Sequence, residues 1–189
     1  GAAHQLQGEM KRAADCFHRA IALKSNYAQA HCNLGVALRK LGRLDDAIAC
    51  QHRAIEIAPD YAKAHYNLGN ALKEGSERDA SIHAYRKAIA HDPGHAEAHN
   101  NLGTVLEGQG HTAQALGEFS RAMTLDDTYV EAHYNHALLH CFQAGDPAID
   151  KLLQLDSQES ENRRNKNRLA FALAKARADL GEYDAAFAH

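Results

Sequence analysis

Proline is scarce in this sequence: among 189 residues it stands only at 59, 93 and 147. A chain so poor in a residue that removes a backbone donor and clashes with the preceding turn is free to be helical along most of its length. Tryptophan is missing and methionine occurs twice. Cys16, Cys32, Cys50 and Cys141 never pair at a C-x-x-C spacing, which speaks against a zinc ribbon or a redox motif and leaves buried or half-buried free thiols as the expectation. No apolar run approaches the roughly 18 to 20 residues of a membrane helix, and the first residues lack the charged-then-apolar order of a signal peptide. No membrane partner is therefore expected, and a cytoplasmic location fits best. A basic excess is lacking too, since 21 Lys and Arg face 24 Asp and Glu for a formal net charge of -3. The long-range attraction on which nucleic-acid binding mostly rests is absent. With 45% hydrophobic and 24% charged residues, the composition is that of an ordered chain.

What is present is a beat of 34 residues. Ala-His recurs at Ala30-His31, Ala64-His65, Ala98-His99 and Ala132-His133, an asparagine follows at Asn33, Asn67, Asn101 and Asn135, and Gly1, Gly35, Gly69 and Gly103 keep step. In one period, Ala30, Leu34, Ala37, Leu38 and Leu41 fall at helical spacing before Gly42; Ala47, Ile48, Ala54, Ile55 and Ile57 resume it until Pro59. The spacing predicts two helices and two tight connections per unit. Gly8, Gly42 and Gly110 are expected to turn the chain. Ala13, Ala47 and Ala115, with Ala20, Ala54, Ala88 and Ala122, leave room at helix crossings, and Phe17, Tyr85 and Phe119 fill the gaps, with Gln51 the exception. A lone helix pair loses roughly 1.5 kcal/mol per ordered residue in conformational entropy, more than one interface returns, so such units must stack.

These residues resemble the tetratricopeptide repeat family over Gly1 through Tyr129. The resemblance implies an all-α fold, a right-handed superhelical solenoid of helix pairs whose inner wall is lined by first helices. Units are expected to start near 28, 62, 96 and 130 after a partial first repeat, forming a solenoid over 1–145. A degenerate helix, a polar linker and a partial last repeat of the same solenoid follow over 146–189. Departures from the pattern are local. Ser76 replaces Gly, Ser81 replaces Ala, and Ser25 and Asp127 stand where proline usually ends a second helix; each is expected to loosen its turn. Val130 to Phe142 reads as a first helix. GDPAIDKLLQLD reads as its partner, with Asp146 as N-cap and Pro147 in the first turn. The stretch SQESENRRNKNR reads as the linker, and Gly181 and Ala186 restore the frame after three inserted residues. Gly1 matches a mid-helix residue and His189 falls mid-helix, so further helices are expected on both sides in a longer parent.

The asparagines are the leading candidate site, because equal positions on stacked first helices form a ladder and an amide carries both donor and acceptor. First helices about 10 Å apart give four rungs spanning about 30 Å, the reach of roughly nine extended residues. The ladder resembles the one with which the repeat array of O-linked N-acetylglucosamine transferase holds polypeptide, which implies that role for Asn33, Asn67, Asn101 and Asn135; by frame it ends at Ala172. Further groove positions are Cys32, Tyr66, Asn100 and Tyr134, then Val36, Asn70, Thr104 and Leu138, then Arg39, Lys73 and Glu107. Tyr66 stands where a carboxylate clamp of the chaperone-adaptor type would want Lys, which disfavours that ligand.

Other chemistry is thinly represented. His136 and His140 have the i, i+4 spacing of a metal pair, but no third ligand is evident and their positions are apolar in earlier units, so no metal and no cofactor are expected. Phosphate loops, nucleophile elbows and C-x-x-C pairs are missing, and no catalytic residue is assigned. The last third is similar to the junction before the catalytic domain of bacterial tetratricopeptide sulfotransferases, which implies an alternative: a recruiting arm of a larger transferase. The main reading is a protein-interaction scaffold that binds an extended peptide or partner domain through Asn33, Asn67, Asn101 and Asn135 with Tyr66, Asn70, Arg39 and Lys73. Self-association through exposed solenoid ends is a further expectation.

Overall fold

The computed structural model describes residues 2–159 and 162–182, with side chains from residue 7 onward. Among them are ten helices and no strand: α1 (Ala2–Leu23), α2 (Ala28–Lys40), α3 (Leu44–Ile57), α4 (Ala62–Glu74), α5 (Arg78–His91), α6 (Ala96–Glu107), α7 (Thr112–Leu125), α8 (Val130–Leu139), α9 (Pro147–Gln158) and α10 (Arg163–Asp179). They form an all-α solenoid of helix pairs. Their packing divides the chain into two compact units, Gly1–Val105 and Leu106–His189.

In the first unit the core runs in small clusters between neighbouring helices: Ala14, Leu34, Ala37, Leu38 and Ala47; then Cys32, Ala54 and Ala64; then Leu68, Leu72 and Ala84. Glycine on the first helix sets how closely its partner approaches. A Cβ at Gly69 would stand 2.7 Å from the Tyr85 ring, and one at Gly35 would collide with Gln51 Nε2. Both contacts join positions sixteen apart in sequence, so the slot read as aromatic is the slot that presses on glycine. Gln51 fills it with its amide donating to the Cys32 carbonyl at 2.9 Å.

The turn inside each pair closes the same way. Gly42 and Gly110 take φ +77° and +80°, and the next N–H reaches back five residues, Arg43 to Leu38 and His111 to Leu106, satisfying carbonyls that a helix end leaves open. Ser76 adopts the same left-handed backbone, φ 64°, and Glu77 N–H still reaches the Leu72 carbonyl at 2.9 Å. The turn is therefore kept rather than loosened, with the strain that a Cβ brings to this conformation, about 1 to 2 kcal/mol. Ser76→Gly is expected to raise stability by about 1 kcal/mol, net of glycine's entropy in the unfolded chain; the thermal midpoint of the full chain, rising by about 3 °C, checks it. An unchanged or lower midpoint would mean the serine is not strained.

The other serine also tightens the structure. Ser81 is buried and its hydroxyl donates to the Gly69 carbonyl at 2.9 Å. Nor do Ser25 and Asp127 alter the end of the second helix: α1 and α7 stop at Leu23 and Leu125, the positions equivalent to Ile57 before Pro59. The junction is held instead by histidine. His31, His65 and His133 each bond through Nε2 to the carbonyl six residues earlier, of Ser25, Pro59 and Asp127, at 2.9 to 3.0 Å. Asp126 adds a turn of its own, accepting from Thr128 N–H at 3.0 Å.

Three further expectations fail. Gly8 does not turn the chain, since α1 runs through it and its surroundings are open. Val130 to Phe142 is not one helix, since α8 ends at Leu139. The backbone beyond it is captured by α10: Lys175 donates to the His140 carbonyl and the Asp179 carboxylate accepts from Phe142 N–H at 3.0 Å. Phe142 is thereby placed in the core of the second unit with Val130, Leu152, Leu155, Leu169 and Leu173. Most of the polar linker is helix as well. Asn162 caps α10, accepting from Arg164 and Asn165 N–H at 3.1 and 3.3 Å, and Arg and Lys are good helix formers on a solvated face. Asp146 and Pro147 open α9 as expected, with Asp146 accepting from Ala148 N–H at 2.9 Å. Gly181 repeats the left-handed turn at φ 80°, whereas Ala186 and His189 lie outside the described residues.

Candidate functional site

Neighbouring first helices in the first unit meet one repeat plus one residue apart. Asn67 Nδ2 donates to Cys32 Sγ at 3.2 Å, Asn101 Nδ2 donates to Tyr66 OH at 3.3 Å, and Arg39 pairs with Glu74. Each of these links spans 35 residues, so each ties a side chain of one layer to the layer before it. Asn101 Nδ2 also donates to Asn70 Oδ1 at 3.0 Å, and the same oxygen accepts from Tyr85 OH at 2.7 Å. Tyr85 is buried, and burial pushes its hydroxyl well above the usual phenol range, so it stays a donor.

The sequence-derived residues thus separate into layers of exposure. Asn33 and Asn101 are half-buried on α2 and α6, while Asn67 between them is buried at 7% exposure. Asn70 is buried as the hub of the Tyr85–Asn70–Asn101 chain. Tyr66 is half-buried, its ring 4.5 Å from that of His95 and 6.0 Å from that of Tyr85. Arg39 and Lys73 are half-buried and both are engaged, Arg39 with Glu74. Asn135 stands on α8 of the second unit, half-buried and itself engaged. Cys32 and Asn100, placed on the wall by spacing, are fully buried. Burial raises the Cys32 thiol, against the lowering effect of the Asn67 bond, and so keeps it from acting as a thiolate.

The amides therefore do not present donor and acceptor alike. Asn101 has spent its two N–H groups on Tyr66 and Asn70, leaving Oδ1 as an oriented acceptor. The Tyr85 to Asn70 bond that fixes this arrangement went unread in the sequence, where Tyr85 is simply the large residue of its slot; an aromatic with a hydroxyl fifteen residues after an asparagine was the available signal.

His136 and His140 stack at 4.9 Å between centroids, but His140 Nε2 bonds Asp146 Oδ2 at 2.6 Å. Among the described residues, no group of three His, Cys, Asp or Glu side chains gathers as a metal would need, and no helix is long and apolar enough to cross a membrane.

Helix pairs on a 34-residue beat, closed by left-handed turns and joined through their first helices, define a helical-repeat scaffold. Residues 1–42 and 37–76 match the model of the TPR repeat, and residues 66–130 match that of the tetratricopeptide repeat. The chain belongs to the tetratricopeptide repeat family, whose arrays generally mediate protein–protein interaction. No curated protein matches it. Its fold is similar to that of YrrB, a TPR protein with an unusual peptide-binding site, at a TM-score of 0.72 and 21% identity over 92% of this chain and 88% of that one. MamA is similar at a TM-score of 0.67 and 20% identity, covering 97% and 95%. A mutant of Thermobaculum terrenum O-GlcNAc transferase is similar at a TM-score of 0.60 and 25% identity, over 69% of this chain and 26% of that one.

Proposed function

We propose that the chain is an interaction scaffold that holds an extended polypeptide against the face shared by α2, α4 and α6, with Asn33, Asn67 and Asn101 as its rungs. Asn135 would serve in the same way on the second unit. The observation that carries this reading is the pinning of Asn101: an amide held by Tyr66 and Asn70 offers a carbonyl oxygen whose direction is already fixed, so a ligand N–H meets it without further loss of side-chain entropy. Tyr66 supplies an aromatic surface beside the rung, and Arg39 and Lys73 supply charge. A face that reads backbone N–H groups tolerates many side chains.

The test uses a random-sequence pool of twelve-residue peptides, from which binders to the full chain are selected, and one binder is then made with N-methylated backbone amides. Replacing Asn33, Asn67 and Asn101 together with Ala is expected to weaken the selected binder by about tenfold or more, and N-methylation to do the same to the native chain. If both changes leave binding intact, the asparagines only fasten one layer to the next.

A second reading, in which this scaffold is the recruiting arm of a larger transferase, is favoured by the likeness to the O-GlcNAc transferase, of which the matched region is 26%. The reading frame downstream of His189 decides it: a catalytic domain there supports the arm, and a stop codon rejects it.

A further inference from the structure

We propose that the end of α8 is a two-state turn worked by α10: a docked α10 holds it unwound with Phe142 in the core, and without that hold it winds on as helix through Phe142. The inference rests on the second unit alone and not on the asparagines. Nothing local stops the helix at Leu139, since no glycine or proline stands between Val130 and Ala144. By the 34-residue beat, His140 holds the position of Leu38, Leu72 and Leu106, and Phe142 holds that of Lys40, Glu74 and Gly108. The three leucines are buried and the other three residues are exposed. In the second unit the burial is exchanged: Phe142 is 3% exposed and the His140 side chain 31%.

Residues two apart on a helix point about 200° apart, so a wound turn buries one of this pair but not both. On the beat of the other units it would put the imidazole inside and the phenylalanine in water, and both changes are unfavourable. The extended backbone at His140, φ -74° and ψ 140°, reverses the choice. Unwinding frees backbone groups that a helix would satisfy, and α10 supplies their partners. Lys175 donates to the His140 carbonyl and Asp179 accepts from the Phe142 N–H at 3.0 Å, while the two side chains pair with each other at 2.5 Å. The Lys175 ammonium lies 5.3 Å from the Phe142 ring centroid. His140, outside the core, bonds Asp146 at 2.6 Å, and His136 stacks on it at 4.9 Å. The bond to Asp179 exists only while the turn is open, because a wound turn returns the Phe142 N–H to the Leu138 carbonyl. Leu169, Ala172, Leu173 and Ala176 of the core around Phe142 also belong to α10. An α10 that leaves therefore removes both the bonds and the apolar surface that buries the ring. The turn thus couples the seating of α10 to the length of α8, and winding adds Cys141 to the column that Arg39, Lys73 and Glu107 hold.

The experiment is backbone NMR on the full chain, reading Cα chemical shifts and amide exchange at residues 140–142. The native chain is expected to show extended shifts there. His140→Leu combined with Phe142→Lys restores the side-chain types of the other units and is expected to give helical shifts through residue 142, with α10 still helical. Lys175→Met combined with Asp179→Ala keeps the apolar face of α10 and removes its hold on the backbone. In that variant the shifts at 140–142 are expected to move toward helical values, and the Phe142 amide, no longer held by a carboxylate, to exchange about tenfold faster or more. Should the first variant fail to fold, the second carries the test alone. Extended or disordered shifts at 140–142 in the folded first variant overturn the proposal, because the exchange of burial then does not set the turn. Unchanged or disordered shifts in the second variant overturn it as well, because α10 then does not work it.

Discussion

Replacing Tyr85 with alanine is expected to cost about 3 to 5 kcal/mol of stability, the range for truncating a large aromatic in a packed interior. The ring is fully buried and its edge presses on the space left open by Gly69, so the cavity opens between α4 and α5. Stability in a repeat array is largely a sum of near-neighbour terms, and the loss should therefore be local. Hydrogen exchange would show faster opening of α4 and α5 with little change in α9 and α10. A loss below about 1 kcal/mol would show that the Gly69 gap collapses around the missing ring. Tyr85→Phe separates the two roles of the residue. It keeps the packing and removes the donor to Asn70 Oδ1, costing about 1 kcal/mol, and it leaves that oxygen held by Asn101 alone. A phenylalanine variant that is nearly as stable as the native chain but binds selected peptides less well would connect this bond to the ligand face.

Acid should destabilise the second unit through His136. Burial, with smaller contributions from His140 and His133, lowers its imidazole from the usual 6.5 to about 4. The unfolded chain takes up the proton near pH 6.5 and the folded chain only near pH 4, so stability is full above about 6.5 and is lost as pH falls through about 4. The full linkage would be about 3 kcal/mol, and partial exposure of the ring reduces the expected loss to about 2 kcal/mol. Leu34, Leu68 and Leu102 stand at the same repeat position and are buried, so His136→Leu should raise stability at pH 5 and flatten its fall between pH 7 and 5. His65 and His133 are also lowered by burial, and a shallower slope remains in the variant. Denaturation midpoints of both proteins across this range provide the check, and identical slopes would remove His136 from the account.

The helix pairs were legible because each depends on short-range information: apolar residues at helical spacing, glycine at the turn, and a beat that repeats. Gly42 and Gly110 announce a left-handed turn by themselves. Ser76 does not, and the same turn forms there because the flanking helices and the Glu77 to Leu72 bond impose it. Gly8 shows the converse, since α1 runs through it without a break and a glycine permits a turn without imposing one. The early end of α8 was hidden because its cause, Lys175 and Asp179, lies on a helix over 35 residues later.

The asparagines divide in the same way. Their recurrence on first helices is written in the sequence, and so is their arrangement one per layer, because helical period and repeat length are local properties that stacking copies. Which atom of each amide is committed is not written there. Asn67 turns to a sulfur and Asn101 to a hydroxyl and a second amide, because the partner is whatever side chain the preceding layer presents. That Cys32 and Asn100 are buried while Tyr66, at the same repeat position, is half-buried was settled likewise. Equal places in the repeat differ in solvent contact once neighbours of unequal size and charge close over them, and only the packed structure decides which are covered.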